Sequence, residues 1–193
     1  MRKILLIDNY DSFTYNLYYL IQSNYWGKVQ VIRNDEILIS EVVQYEAIVI
    51  SPGPGTPADS GFTLQILSKY HKVKPILGIC LGMQCINEFF GGDTIKAPFP
   101  VHGKQQEIFL NKPGLIMTKI QSPIKVARYH SLMISNVPSD LMITAHTWDK
   151  IPMVIEHKTL PIYGIQFHPE SFLTPQGDRM IKNFLEIVEK ECR

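Results

Sequence analysis

The sequence predicts an α/β fold: an open, mostly parallel central sheet flanked by helices, with an additional antiparallel β portion in the second half. Three observations predict it. Four short apolar runs within the first eighty residues alternate with stretches of helical spacing, the signature of strands joined by helical crossovers. These runs are apolar throughout rather than alternating, as strands covered on both faces are. After Gly91-Gly92 the chain changes to shorter β-type segments punctuated by Pro and Gly, with no helical stretch between them.

Residues 3–8 form the first apolar run, and residues 12–23 carry Phe13, Leu17, Leu20 and Ile21 at helical spacing. Asp11 and Ser12 are candidate N-caps for that helix. Residues 29–33 give the second strand and 39–44 a short helix; residues 47–51 give the third strand, with a helix over 62–70. The fourth strand covers 75–79 and runs into a helix beyond Cys80. In the second half, 104–110, 124–127, 141–147, 153–156 and 162–167 are β-type segments of antiparallel or mixed pairing. A closing helix over 176–190 places Ile181, Phe184, Leu185 and Val188 on one stripe. There is no internal repeat or long linker, so 1–193 reads as one domain.

Composition narrows the function classes. A chain of 193 residues with 45% hydrophobic and 19% charged residues is globular rather than disordered. Its formal net charge of +1, with both signs scattered, carries no electrostatic footprint for nucleic acid or for an anionic membrane. Apolar runs such as 4–7 and 47–50 fall far short of the ~18 residues that span a bilayer. Met1-Arg2-Lys3 is followed by only a short apolar stretch, too short for a secretory signal, so the chain is expected not to be exported. Cys80, Cys85 and Cys192 are an odd set without C-x-x-C spacing, which argues against a disulfide framework and a zinc knuckle and for a reducing compartment.

The chemistry concentrates in three places. In the first, the strand at 75–79 enters Gly78-Ile-Cys80-Leu-Gly82 and then a helix, the pattern of a nucleophile elbow with cysteine in place of serine. Small neighbours let the apex side chain project from a strained turn, and a helix N-terminus behind it favours an anion there. The bland alternative is an inert buried thiol, and Cys85 and Cys192 receive only that reading. In the second place, His168-Pro-Glu170 follows the run 162–167, so His168 stands at the C-terminal end of a strand with a carboxylate two residues on to orient it. His71, His146 and His157 are read as structural, and no H-E-x-x-H or Cys/His spacing supports zinc chemistry. The third place is Ser51-Pro-Gly53-Pro54-Gly55-Thr-Pro57, which lacks either phosphate-loop spacing and is either a rigid turn or a source of backbone N–H groups for a developing oxyanion.

Together Gly53-Pro54-Gly55, Gly78-Ile-Cys80-Leu-Gly82-Met-Gln84 and His168-Pro-Glu170 resemble the class I, or triad, glutamine amidotransferases. Asp8-Asn-Tyr-Asp11-Ser-Phe-Thr-Tyr-Asn16, Val101-His-Gly-Lys104 and Arg128-Tyr-His130-Ser131-Leu132 are similar to stretches of the small subunits of anthranilate synthase and aminodeoxychorismate synthase. The resemblance implies Cys80 as nucleophile, His168 as general base and Glu170 as its orienter. It implies oxyanion amides from Gly53 and Leu81, and a glutamine site that includes Pro54, Gly55, Gln84, Ser131 and Leu132. Met83 stands where many relatives have His, a departure outside the triad.

The resemblance further implies glutamine as the substrate, ammonia delivered to a chorismate-using synthase subunit, and no metal or organic cofactor in this chain. Whether the product is anthranilate, 4-amino-4-deoxychorismate or both stays open at this point, as does a bacterial cytoplasm or an organelle stroma. A stand-alone γ-glutamyl cysteine hydrolase would share the elbow and the His-Pro-Glu. The stretches 8–12, 101–104 and 129–132 hold no triad member and are expected to form the docking surface for the partner.

Overall fold

The structure is a computed structural model and describes residues 2–101 and 103–192; within the expected docking stretch 101–104, His102 lies outside the described residues. In chain order, β1 (Lys3–Asp8) leads to α1 (Thr14–Gln22), β2 (Lys28–Arg33), a 3-10 helix (Ile39–Gln44) and β3 (Ala47–Ile50). A 3-10 turn (Pro57–Asp59) then precedes α2 (Thr63–Tyr70), β4 (Ile76–Ile79) and α3 (Leu81–Phe89). The second half contributes β5 (Asp93–Lys96), β6 (Lys104–Leu110), β7 (Ile124–Arg128), β8 (Leu132–Ser135), β9 (Leu141–Thr147), β10 (Pro152–His157), β11 (Ile162–Ile165) and α4 (Gly177–Glu191).

Nine strands form one sheet in the order β2-β1-β3-β4-β11-β10-β9-β6-β7. The first five are parallel, and β10, β9, β6 and β7 continue antiparallel from them. The alternation of apolar runs and helices therefore reports the parallel half correctly. It does not reveal that β11, from the second half of the chain, pairs parallel with β4 at the seam. A small separate sheet pairs β5 with β8, and neither strand stands out in the sequence because Asp93–Lys96 is short and mostly exposed.

β3, β4 and β11 are buried at every residue, which is why their sequences do not alternate. One face packs Leu6, Val49 and Ile79 against α1 and α4 through Leu17, Ile181 and Phe184, together with Ile108, Val126 and Ala145 of the antiparallel half. The opposite face packs Leu5, Ile48 and Ile50 against α2 and α3 through Ile66, Leu67 and Ile86. α4 is the most amphipathic in sequence, and Met180, Ile181, Phe184, Leu185 and Val188 are its buried stripe.

The antiparallel half curls, because its edge strand β7 reaches the loop that follows β11. The Ala127 carbonyl accepts the His168 N–H at 3.1 Å, and the Ala127 N–H donates to Thr174 Oγ1 at 3.0 Å. The segments leaving β1, β3, β4 and β11 thus gather at one end of the sheet, outside the carboxyl ends of the parallel strands, and β7 closes over them.

Among the described residues, no helix is long and apolar enough to cross a membrane.

Candidate active site

The elbow is built from backbone packed on backbone. A methyl group added at Gly78 would lie 2.4 Å from the carbonyl of Gly82, and one at Gly82 would lie 2.6 Å from the carbonyl of Ile50. Only glycines let α3 start this close to β3 and β4. The turn between them holds Cys80 at φ 52°, ψ −103°, a strained conformation for a residue with a side chain. Its N–H donates to the Ile165 carbonyl at 2.7 Å, which ties the turn to β11. Cys80 is 8% exposed, and α3 begins at the next residue, Leu81, whose N–H has no acceptor within the helix.

Gly53 comes from the loop after β3 and touches the end of β1: a methyl there would lie 2.5 Å from Asn9 Cβ and 2.9 Å from the Leu81 side chain. Asn9 fixes this loop. Its N–H donates to Ser51 Oγ at 2.9 Å, its side-chain amide donates to the Ser51 carbonyl at 2.9 Å, and Asn34 donates to its side-chain oxygen at 3.0 Å. All three side chains are buried. The Pro-Gly stretch at 51–55 is thus a rigid turn seated beside the cysteine.

His168 follows β11 by three residues and is 3% exposed. Its Nδ1 lies 2.6 Å from Glu170 Oε1, and the carboxylate side chain is fully buried. Its backbone is clamped on both sides, because Thr174 Oγ1 donates to the His168 carbonyl at 2.7 Å while accepting from Ala127. The second ring nitrogen, Nε2, is buried without a hydrogen-bond partner and faces the Cys80 sulfur. Burial opposes a charge on this imidazole, but the Cys80 sulfur and then the Glu170 carboxylate outweigh it and hold the ring well above its ordinary value, at about 10. Cys85, by contrast, is buried away from this group, and desolvation pushes its thiol up to about 12.

Two aromatic rings roof the imidazole. Phe13, at the start of α1, meets it edge-on at 5.8 Å between centroids, Tyr129 does so at 5.0 Å, and the two rings lie 5.4 Å apart. Asp11 stands beside them. Its carboxylate accepts the Phe13 N–H at 2.8 Å instead of capping α1, whose N-cap is Phe13 without a side-chain cap bond. Burial raises the pKa of Asp11 above the usual carboxylate range, against the hydrogen bond from Phe13 and the proximity of His168.

A cavity of about 170 Å³ opens onto Cys80, room for a molecule of amino-acid size. Gly53, Pro54, Gly55, Gln84, Ser131 and Leu132 line it, so the structure brings these sequence-predicted residues to the thiol. Leu81, the first residue of α3, is buried and is not among the residues that line the cavity. A larger hollow of about 410 Å³ lies over Leu110 to Thr118, and none of Cys80, His168 or Glu170 lines it. Among the described residues no group of His, Cys, Asp and Glu side chains is arranged to hold a metal ion.

Sequence reasoning missed four members of this site. Gln166 donates to Cys80 Sγ at 3.5 Å and accepts from Gln84 at 3.4 Å, tying one wall of the cavity to the sulfur. Tyr129 and His130 also line the cavity, and His130 is buried, so 129–132 is pocket wall and not only an outer surface. Phe13 completes the roof over His168. The motif-like runs at 8–16 and 128–132 were the available signal, but nothing in their spacing says that both converge on His168.

This is a cysteine held in an elbow, an imidazole facing its sulfur, a buried carboxylate behind the imidazole, and a small cavity that opens onto the thiol. A family model described as "Glutamine amidotransferase class-I" matches residues 5–188. The chain belongs to this family. It is 48% identical over 191 residues to anthranilate synthase component 2 of Cyanophora paradoxa, covering 96% of this chain and 99% of that one. It is 42% identical over 201 residues to anthranilate synthase beta subunit 2, chloroplastic, of Arabidopsis thaliana, covering 97% and 72%. Among solved structures, a putative GMP synthase subunit from Thermoplasma acidophilum superimposes with a TM-score of 0.89 at 29% identity, covering 98% of this chain and 95% of that one. The class-I amidotransferase fold and glutamine amidotransferase activity follow from these matches taken with the site.

Proposed function

We propose that the chain is the glutamine-hydrolysing subunit of an anthranilate synthase and delivers ammonia to a separate chorismate-using subunit. The observation that carries this reading is the near end-to-end match to anthranilate synthase component 2, on a chain whose cavity wall is made by the stretch 129–132. We read 1–193 as one amidotransferase domain, a reading supported by the family match over residues 5–188.

In the mechanism that the geometry supports, the Cys80 thiolate attacks the carboxamide carbon of glutamine while the Gly53 and Leu81 N–H groups receive the oxyanion. His168 then gives its proton to the departing nitrogen, leaving a thioester and free ammonia. A water molecule, deprotonated by His168, attacks the thioester carbonyl; the C–S bond breaks and glutamate leaves. The sum is glutamine plus water to glutamate plus ammonia. Glu170 orients the imidazole and stabilises its charged form through Nδ1. Pro54, Gly55, Gln84, Ser131 and Leu132 hold the amino-acid end. The free cysteines suit a reducing compartment, a cytoplasm or an organelle stroma.

The test is steady-state glutamine hydrolysis by the chain alone, with an anthranilate-forming subunit, and with an aminodeoxychorismate-forming subunit, each with and without chorismate. We expect the anthranilate-forming partner to stimulate hydrolysis by about 5- to 150-fold, the usual range of coupling between sites. A lone chain as fast as every mixture would make it a stand-alone hydrolase. Stimulation only by the aminodeoxychorismate-forming subunit would move it to that pathway.

A further inference from the structure

Arg128, the last residue of β7, is a buried cation without a carboxylate. It is 2% exposed, and among the described residues no Asp or Glu forms an ion pair with it. Its Nη1 donates to Gln106 Oε1, its Nε donates to His130 Nε2 at 2.9 Å, and its Nη2 is buried without a partner. Taking a guanidinium out of water in this way is costly, and packing alone would be served better by an apolar side chain. The charge is therefore to be explained by what it holds.

What it holds is His130. A guanidinium can only donate, so His130 Nε2 must accept, and the ring proton is forced onto Nδ1. That Nδ1–H donates to the Leu132 carbonyl at 2.8 Å. Both ring nitrogens are used and the tautomer is fixed. Burial and the adjacent Arg128 push this imidazole down to about 4, the opposite of His168 in the same site. The far side of the connection is pinned by backbone alone, with the His130 carbonyl accepting from Val101 at 3.1 Å and the Ser131 carbonyl from Ala97 at 2.8 Å. The near side, the one that faces the cavity, is set by the ring.

We propose that Arg128 and His130 are positioning residues that hold the 129–131 connection so that Ser131 and Leu132 present a preformed edge to the amino-acid end of glutamine. The proposal rests on the glutamine-hydrolysing reading. It puts the larger effect on binding: Arg128 and His130 set the backbone that meets the substrate's amino-acid end, while Cys80 is held by its elbow and His168 by Glu170 and Thr174, and Tyr129 of this connection meets the imidazole only by ring-edge packing.

The experiment uses the full chain and two electrophiles that modify Cys80, a glutamine-shaped analogue that needs the pocket edge and iodoacetamide, which has no amino-acid end. His130→Leu removes both hydrogen bonds, His130→Asn restores a donor at the Nδ1 position, and Arg128→Gln removes the cation. For His130→Leu we expect the concentration giving half-maximal inactivation by the analogue to rise by about ten- to a hundredfold, with the iodoacetamide rate within about twofold of the parent. His130→Asn should recover most of the loss, and in the complex with the synthase subunit KM for glutamine should move while kcat holds. If His130→Leu fails to fold, Arg128→Gln carries the same comparison, with the half-maximal concentration rising in the same direction and the iodoacetamide rate holding. Equal slowing by both electrophiles, or an unchanged half-maximal concentration, would overturn the positioning role. A parent chain that the analogue does not modify at Cys80 would overturn the glutamine reading itself, a result distinguishable from the other two.

Discussion

Around Cys80 the aim of the side chain is set by backbone against backbone, with Gly78 on Gly82 and Gly82 on Ile50, while around His168 it is set by side-chain oxygens, with Glu170 behind the ring and Thr174 bridging the His168 carbonyl to Ala127. The difference follows from the sheet. β3, β4 and β11 are parallel, rigid and buried on both faces, so a turn that leaves them can be aimed by close approach alone. His168 stands in a loop between β11 and a curled edge strand, where the backbone does not supply a complete set of partners and side chains must. A backbone contact admits no substitute; a side-chain hydrogen bond admits a partial one.

That contrast is most exposed by replacing the groups on the imidazole side. His168→Asn should lower glutamine turnover in the assembled complex by about 10³- to 10⁴-fold, since thiol activation and ammonia protonation both pass through this ring. Glu170→Gln should cost about 10- to 100-fold, because the amide oxygen still accepts from Nδ1 while the stabilisation of the imidazolium is lost. Rates from initial-velocity assays decide it: equal damage from the two variants would mean that the carboxylate is as irreplaceable as a backbone contact.

A smaller effect, in stability, sharpens the other side. Gly82→Ala should lower unfolding free energy by about 3 kcal/mol, since its methyl meets the Ile50 carbonyl and neither α3 nor β3 can retreat. Thr174→Val, isosteric but unable to bridge Ala127 and His168, should cost about 2 kcal/mol. Urea unfolding of both variants gives the order, and a Gly82→Ala protein as stable as the parent would remove the close-packing account of the elbow.

The same contrast explains what the sequence made legible. The parallel half could be read because β1, β3 and β4 carry continuous apolar runs and its elbow depends on glycines at fixed offsets, both of which are properties of consecutive residues. His168-Pro-Glu170 could be read for the same reason: the base and its carboxylate are two residues apart. Pattern does not report which strands become neighbours, so the parallel placement of β11 beside β4 and the pairing of β5 with β8 were invisible. Nor does it report contacts made across that topology. Phe13 and Tyr129 meet over His168, and Gln166 reaches Cys80, only because four separated segments end at the same edge of the sheet. The stretch 129–132 was expected as a docking surface; a buried His130 and a Tyr129 packed on the imidazole make it part of the site itself.

The central claim is that Cys80 makes ammonia from glutamine for a partner that can also take ammonia from solution. Cys80→Ala tests it in the complex with the chorismate-using subunit, by measuring aromatic product formed from chorismate with glutamine and, separately, with ammonium salt at a pH that supplies free ammonia. Glutamine-dependent synthesis should vanish while ammonia-dependent synthesis stays within about twofold of the parent complex. Equal loss of both would make Cys80 a structural residue, and survival of the glutamine-dependent reaction would place the nucleophile elsewhere.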